Sequence, residues 1–274
     1  MVSNEFCVGL LENAKYTGDA TRQTRLEEIQ NIIAKRTANE TQYDDSIVAD
    51  HLLCYNIIKM PQGGRRSMIY YIADMHFGHE NVRSFDRRPF PDTAQMEQTL
   101  IQNWGACVTE GDTVYVLGDA FWKNEENSIR IIQQLNGHKH LIQGNHDRVK
   151  GKLRLYWESI EPYAEVNDEN RLVILSHYPM LFYKGQHHGA IMLYGHVHNS
   201  REWELVEKWK KEQWAMGIPS RLINVGCMMA YMRYTPRTLT ELLDANPMPE
   251  IFRVRKDGSA VEASESTRKD GVSG

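Results

Sequence analysis

No stretch of the 274-residue chain holds the roughly 18 consecutive apolar residues that a membrane-spanning helix needs. The apolar stretch at 6–11 is shorter still and follows Glu5, so it does not read as a secretory leader. Cysteine is sparse and scattered. Cys7, Cys54, Cys107 and Cys227 form no Cys-x-x-Cys pair, which argues against a zinc knuckle and a disulfide framework and makes a reducing cytoplasm the expected compartment. Surplus positive charge is missing too: 32 Lys and Arg face 36 Asp and Glu, a net charge of −4. A global field that recruits duplex nucleic acid or an anionic membrane is therefore excluded, although a local basic patch is not. Internal repeats and low-complexity domains are also lacking, so solenoid and array architectures drop out.

What is present suffices for one sizeable domain with additions, since 41% of the residues are hydrophobic. Residues 1–66 read as a helical extension. Thr24-Arg25-Leu26-Glu27 has the form of a capping box, with Leu26, Ile29 and Ile33 at helical spacing. A second helix is expected over 45–60, with Val48, Leu52 and Tyr55 on one side, before Pro61-Gln62-Gly63-Gly64 breaks it. The first reading of this segment is a helical hairpin packed on the main domain, and the second a self-standing module for a protein partner. Farther on, residues 92–107 predict a helix with Met96, Leu100, Ile101 and Trp104 on one face, and a helix around 127–135 stops at Asn136-Gly137. The charged stretch 199–219 predicts a surface helix whose Trp203, Trp209 and Trp214 serve core packing ahead of a substrate or partner face. From 250 onward the chain reads as a polar tail, which leaves 67–249 for the main domain.

Within that domain, five short polar clusters each follow an apolar run rich in β-branched or aromatic residues. They are Asp74-Met75-His76, Gly118-Asp119, Gly144-Asn145-His146-Asp147, His177 and Gly195-His196-Val197-His198. The runs before them, 68–73, 113–117, 140–142, 172–175 and 191–194, read as buried strands that stop where the Asp, Asn or His begins. Functional groups gather at such strand ends in layered α/β folds. Taken singly, each cluster has an ordinary structural reading, as a turn or a hydrogen-bonded histidine. Taken together, they offer imidazoles, carboxylates and an amide, a donor set that suits Mn²⁺, Fe, Zn²⁺ or Ni²⁺ better than a thiolate-loving metal.

The order and type of these clusters resemble the calcineurin-like metallophosphoesterase superfamily over residues 68–247, and in detail a group of its small bacterial and phage phosphoesterases. The resemblance implies an α/β fold, a four-layer α/β/β/α sandwich of two mixed sheets flanked by helices. It also implies two divalent metal ions, with manganese the first choice. Asp74, His76 and His198 would hold one ion, Asn145, His177 and His196 the other, and Asp119 would bridge them. His196 and His198 would point the same way on an extended strand, but in a loop they can part to reach different ions.

The activity implied is hydrolysis of a phosphodiester or phosphomonoester, a nucleotide among the candidates, with a metal-bridging hydroxide as nucleophile and no phospho-enzyme intermediate. His146 would act on the substrate, stabilising a phosphoryl oxygen or protonating the leaving group. Asp147 would either orient His146 or cap the segment after it. His79, Asn81 and Arg88, with Arg87 as the alternative to Arg88, are candidates for substrate contact, and His187 and His188 read as solvated loop residues. Two departures from the family pattern stand out. Cys227 follows Asn224-Val225-Gly226 where relatives often carry an acid, and Ala120-Phe121-Trp122 replaces the Asp-Arg-Gly of serine/threonine phosphatases. The competing readings are a Mre11-like nuclease on single-stranded ends and a non-catalytic scaffold on the same fold.

Overall fold

The computed structural model describes residues 66–122 and 124–252. The expected N-terminal helices, and the polar tail beyond 252, lie outside the described residues. In chain order the first half comprises β1 (Ile69–Ile72), α1 (Val82–Phe85), α2 (Thr93–Cys107), β2 (Thr113–Val116), α3 (Glu125–Ile132), β3 (His138–Ile142) and β4 (Ser159–Glu161). The second half comprises β5 (Tyr163–Asp168), β6 (Arg171–Ser176), β7 (Ile191–Tyr194), α4 (Arg201–Ala215), β8 (Leu222–Asn224), β9 (Arg237–Thr238) and α5 (Leu239–Ala245).

The strands make two mixed sheets, flanked by helices as expected of the α/β sandwich. One has the order β4-β3-β2-β1-β9, with β9 antiparallel at its edge; the other runs β5-β6-β7-β8, with β5 antiparallel. Register is in phase where it matters for the site. Ile72 lies opposite Val116 and Val116 opposite Leu141, so β1, β2 and β3 end side by side. The sheets are stitched together just past the ends of β1 and β8, where the Ala73 amide donates to the Val225 carbonyl at 2.8 Å and the Cys227 amide to the Ala73 carbonyl at 2.9 Å.

Side-chain alternation along the strands separates the layers. In the second sheet Val173, Leu175, Ile191, Leu193 and Ile223 join the main core, shared with the first sheet and with Met96, Leu100 and Trp104 of α2. The alternate residues Ile174, Met192, Tyr194 and Leu222 form a separate cluster with Val206 of α4. Burying a side chain of this size contributes roughly 1.5–3 kcal/mol, so both faces of the second sheet are anchored independently.

The helices begin where short polar side chains satisfy their first amides. Asp92 accepts from the Gln95 amide at 2.7 Å and starts α2, whose Met96, Leu100 and Trp104 are buried as the spacing predicts. Asn124 accepts from the Asn127 amide at 3.0 Å, so α3 starts at Glu125, two residues before the expected point. Thr238 and Glu241 close a full capping box on α5. In α4 the Trp214 indole donates to the Ser220 carbonyl at 2.9 Å and holds the chain as it leaves the helix, a packing role. Among the described residues no helix is long and apolar enough to cross a membrane.

Candidate metal centre

All five polar clusters come together at the carboxyl ends of the parallel strands. Asp74 and His76 follow β1, Asp119 follows β2, Asn145 and His146 follow β3, His177 follows β6, and His196 and His198 follow β7. The backbone there is unusual. Asp74, His76, Asp119, His196 and His198 have φ of 55°, 52°, 52°, 69° and 48°. A left-handed residue other than glycine costs about 1–3 kcal/mol and survives only where its surroundings hold it. Here the hold is visible: the Asp74 amide donates to the Gly118 carbonyl at 3.0 Å and the His76 amide to the Asp119 carbonyl at 2.9 Å. Close approach also requires glycine twice. A Cβ on Gly118 would run into the His177 ring, and one on Gly144 into the Asp119 carboxylate.

The side chains form two groups, each with donor atoms within 4.8 Å of one another: Asp74, His76 and His198, and Asp119, His177 and His196. In the first, His76 Nε2 and His198 Nε2 face each other at 3.2 Å, and His198 Nε2 is 3.7 Å from Asp74 Oδ1. In the second, His177 Nε2 is 3.0 Å from Asn145 Oδ1 and 3.5 Å from Asp119 Oδ2. Asp119 Oδ2 is also 3.8 Å from His76 Nε2, so this one oxygen stands between the groups.

Partners outside the cluster decide which ring nitrogens face inward. His177 Nδ1 donates to the Leu117 carbonyl at 2.8 Å, and His198 Nδ1 to Asp86 Oδ1 at 2.7 Å. Both Nε2 atoms are thereby turned into the site. His76 Nδ1 is buried without a hydrogen-bond partner among the described residues. Converging imidazole lone pairs beside buried carboxylates are the donor set that a borderline divalent cation takes, so these residues fit such an ion.

The charges are balanced internally. Burial raises the Asp74 carboxyl above its usual range, while His198 and His177 oppose it. Asp119 goes the other way: burial would raise it, but the hydrogen bond and charge of His177 bring it down to about 2. Burial, then His198, pushes His76 well below the ordinary imidazole value. Burial opposes protonation of His177 as well, yet its hydrogen bond to Asp119 holds it up at about 9.

The remaining candidates divide. His146 lies at the site, its Nε2 4.0 Å from Asp119 Oδ2 and its side chain 41% exposed, while its amide donates to Asp119 Oδ1 at 2.9 Å. His79 is close by, its ring edge-on to His76 at 5.6 Å. Asn81 is exposed at the start of α1. Arg88, expected at the substrate, is instead buried behind the first loop. Its guanidinium donates to Asp86 Oδ2 at 2.9 and 2.7 Å, to the Asp74 carbonyl at 2.9 Å and to the Met75 carbonyl at 3.1 Å, which leaves it no reach to solvent. Arg87 is exposed, as are His187 and His188. Asp147 neither orients His146 nor caps the following segment. It accepts from the amides of Asp119 and Gly144 at 2.8 Å and of Ala120 at 3.0 Å, tying the loops after β2 and β3 together.

Sequence reasoning gave no role to Asp86, Trp122 or Tyr178. The Trp122 ring lies 4.9 Å from His146, and the half-exposed Tyr178 ring 4.3 Å from His196. Tyr178, beside His177, and Trp122, in the segment after Asp119, had sequence positions that marked them; Asp86 is brought in by loop geometry. Asn224, at the departure from the family pattern, donates to the His198 carbonyl at 2.8 Å and accepts from the Gly226 amide at 2.9 Å, which fixes the second histidine loop. Cys227 beyond it is fully buried, and burial pushes its thiol up to about 12.

No known family profile matches the chain. It is 42% identical over 89 residues to an uncharacterised protein of Methanocaldococcus jannaschii, a match that covers 32% of this chain and 51% of that protein. The chain thus spans about half the length of that relative. It is 26% identical over 166 residues to the gene 66 protein of Mycobacterium phage L5, covering 48% of this chain and 78% of the phage protein. Among solved structures, the AQ665 protein of unknown function from Aquifex aeolicus superposes with a TM-score of 0.52 at 26% identity, over 66% of this chain and all of the other. The nuclease MPE of Pseudomonas putida aligns over 47% of this chain at 20% identity, with a TM-score of 0.31 that is too low to bear on its chemistry.

Proposed function

We propose that this chain is a metal-dependent phosphoester hydrolase working through a pair of divalent ions. The observation that carries the reading is the position of Asp119 Oδ2, 3.8 Å from His76 Nε2 in one group and 3.5 Å from His177 Nε2 in the other. A carboxylate with two oxygens and a negative charge is the group that two adjacent cations share. Asp74, His76 and His198 are assigned to one ion, Asn145, His177 and His196 to the second, and Asp119 to both; Mn²⁺ is the first candidate.

When bound, two such ions supply a strong nucleophile near neutral pH and absorb charge developing on the phosphoryl oxygens. The protein's own groups do the rest. Asp86 and the Leu117 carbonyl keep His198 and His177 in the tautomer that presents Nε2 to the site. His146, exposed at the rim and fixed through its amide to Asp119, is placed to hydrogen-bond a phosphoryl oxygen or to hand a proton to the leaving oxygen. The substrate class assigned is a small or flexible phosphodiester or phosphomonoester.

The test is hydrolysis of paired aryl phosphodiester and phosphomonoester substrates by metal-stripped protein with Mn²⁺ restored, and Asp119→Asn as the blank. Turnover that returns with metal and is absent in the variant supports the reading, and the diester to monoester ratio chooses the ester class. Absence of turnover with Mn²⁺, Zn²⁺, Ni²⁺ and Fe²⁺ alike would sink it.

A further inference from the structure

His146 flanks the first group of candidate ligands, its ring 5.8 Å from that of His76. The second group has an aromatic neighbour of its own, which the chemistry assigned to the centre does not use. The Tyr178 ring lies 4.3 Å from the His196 ring and 5.2 Å from the His177 ring, and Tyr178 is 49% exposed. Among the described residues its hydroxyl has no hydrogen-bond partner. Tyr183, on the same loop after β6, differs: it is buried, and its hydroxyl accepts from the Arg221 amide at 2.8 Å.

The chain itself delivers Tyr178 to this place. The Gly195 amide donates to the His177 carbonyl at 3.0 Å, which ties the peptide entering Tyr178 to the loop that carries His196. Pro179 follows, and a proline restricts the residue before it to extended backbone. A brace for His196 would need only the ring, and phenylalanine would pack in the same way. The hydroxyl is therefore surplus to packing. It is one bond from a ring that touches His196, and a phenol O–H forms short, strong bonds to anionic oxygen.

Resting on the hydrolase reading above, we infer that Tyr178 is a substrate-contacting residue whose hydroxyl donates to a phosphoryl oxygen of an ester held at the Asp119, His177 and His196 group. His146 and Tyr178 then bracket the phosphate, each beside a different group of ligands. Because the non-leaving phosphoryl oxygens persist in the product, the same contact serves substrate and inorganic phosphate.

The experiment is calorimetric titration of the full-length, Mn²⁺-loaded protein with inorganic phosphate, in the parent and in Tyr178→Phe, with metal content measured on the same samples. The variant keeps the ring and removes only the hydroxyl. Phosphate affinity should fall about 10–100-fold, the loss expected of one hydrogen bond to a charged oxygen, while Mn²⁺ stoichiometry stays unchanged. Tyr178→Ala, which removes the ring as well, should weaken phosphate at least as much. Equal phosphate affinity in the parent and Tyr178→Phe overturns the contact and leaves the hydrolase reading standing. Loss of Mn²⁺ from Tyr178→Phe in step with phosphate overturns it too, because the hydroxyl would then act through the ligands. A metal-loaded parent that binds no phosphate removes the metal-centre reading and the Tyr178 contact with it.

Discussion

Asp86 and His198 are joined by a 2.7 Å hydrogen bond from His198 Nδ1 to Asp86 Oδ1, and the other carboxylate oxygen of Asp86 is held by Arg88. Burial would raise the Asp86 carboxyl, but His198 and Arg88 bring it below its usual value, so it stays an anion. An anion behind a ligating imidazole fixes the tautomer and strengthens the donor nitrogen. Asp86→Ala should therefore weaken Mn²⁺ binding about 10–100-fold. Metal titration of the stripped protein reads this directly, and an unchanged affinity would show that His198 is not a ligand.

Arg88 ties Asp86 to the carbonyls of Asp74 and Met75, and its side chain is buried. Removing one partner of a buried ion pair leaves the other charge uncompensated, at a cost of about 3–5 kcal/mol. Arg88→Leu should unfold at correspondingly lower urea in equilibrium denaturation. A variant of full stability with only a raised KM would restore the substrate-binding role that its sequence position suggested.

Asp147 takes three amides from two loops. Asn in its place can accept at one oxygen only, so at least one buried amide would face an NH₂ group, at a cost of about 1–3 kcal/mol. Asp147→Asn should lose that much stability in urea titration. It should also lose Mn²⁺ affinity, because the Asp119 loop is one of the two that Asp147 secures.

The strand ends were legible in the sequence because buried parallel strands are short apolar runs and their polar termini are abrupt. Asp74, Asp119, Asn145 and His177 all sit where the runs 68–73, 113–117, 140–142 and 172–175 end. The capping box Thr238–Glu241 had an equally readable signature but lay beyond the motifs. Arg88 and Asp86 were not legible in this way. Arg87 and Arg88 are adjacent and of the same type, and only the fold decides that one is exposed and the other buried against Asp86. Strand β5 is half exposed, with a burial pattern that alternates without a strong apolar face, so it lacks the run that marks β6 beside it. Trp122 and Phe85 meet through His79 although 37 positions apart, a closeness that no local pattern announces.

His146 meets Asp119 through its backbone amide, while its ring Nε2 stands 4.0 Å from Asp119 Oδ2 and 41% of its side chain faces solvent. Its loss should leave the metal groups intact. His146→Ala is expected to bind Mn²⁺ with unchanged stoichiometry while kcat falls about 10²–10⁴-fold, the range of a general acid. Metal analysis alongside steady-state kinetics checks both halves, and a parallel loss of metal would make His146 a ligand instead.

His177 offers a test of the cluster's charge balance in the metal-free protein. Burial acts to lower its basicity, yet the hydrogen bond to Asp119 raises it from an ordinary 6.5 to about 9. A folded-state value above the unfolded one means that the stabilisation is complete below pH 6.5 and is lost as pH rises through about 9. Urea denaturation of stripped protein across that window should show stability falling with pH. In Asp119→Asn the first of the groups that lift the imidazole is gone while Asp74 and the Leu117 carbonyl remain, so the fall should shrink. Metal reverses the sign, because a cation competes with the proton for Nε2 and its affinity rises over the same window. At Mn²⁺ concentrations about 100-fold above Kd the holoprotein should gain about 2.7 kcal/mol over the stripped one, most visibly at the alkaline end.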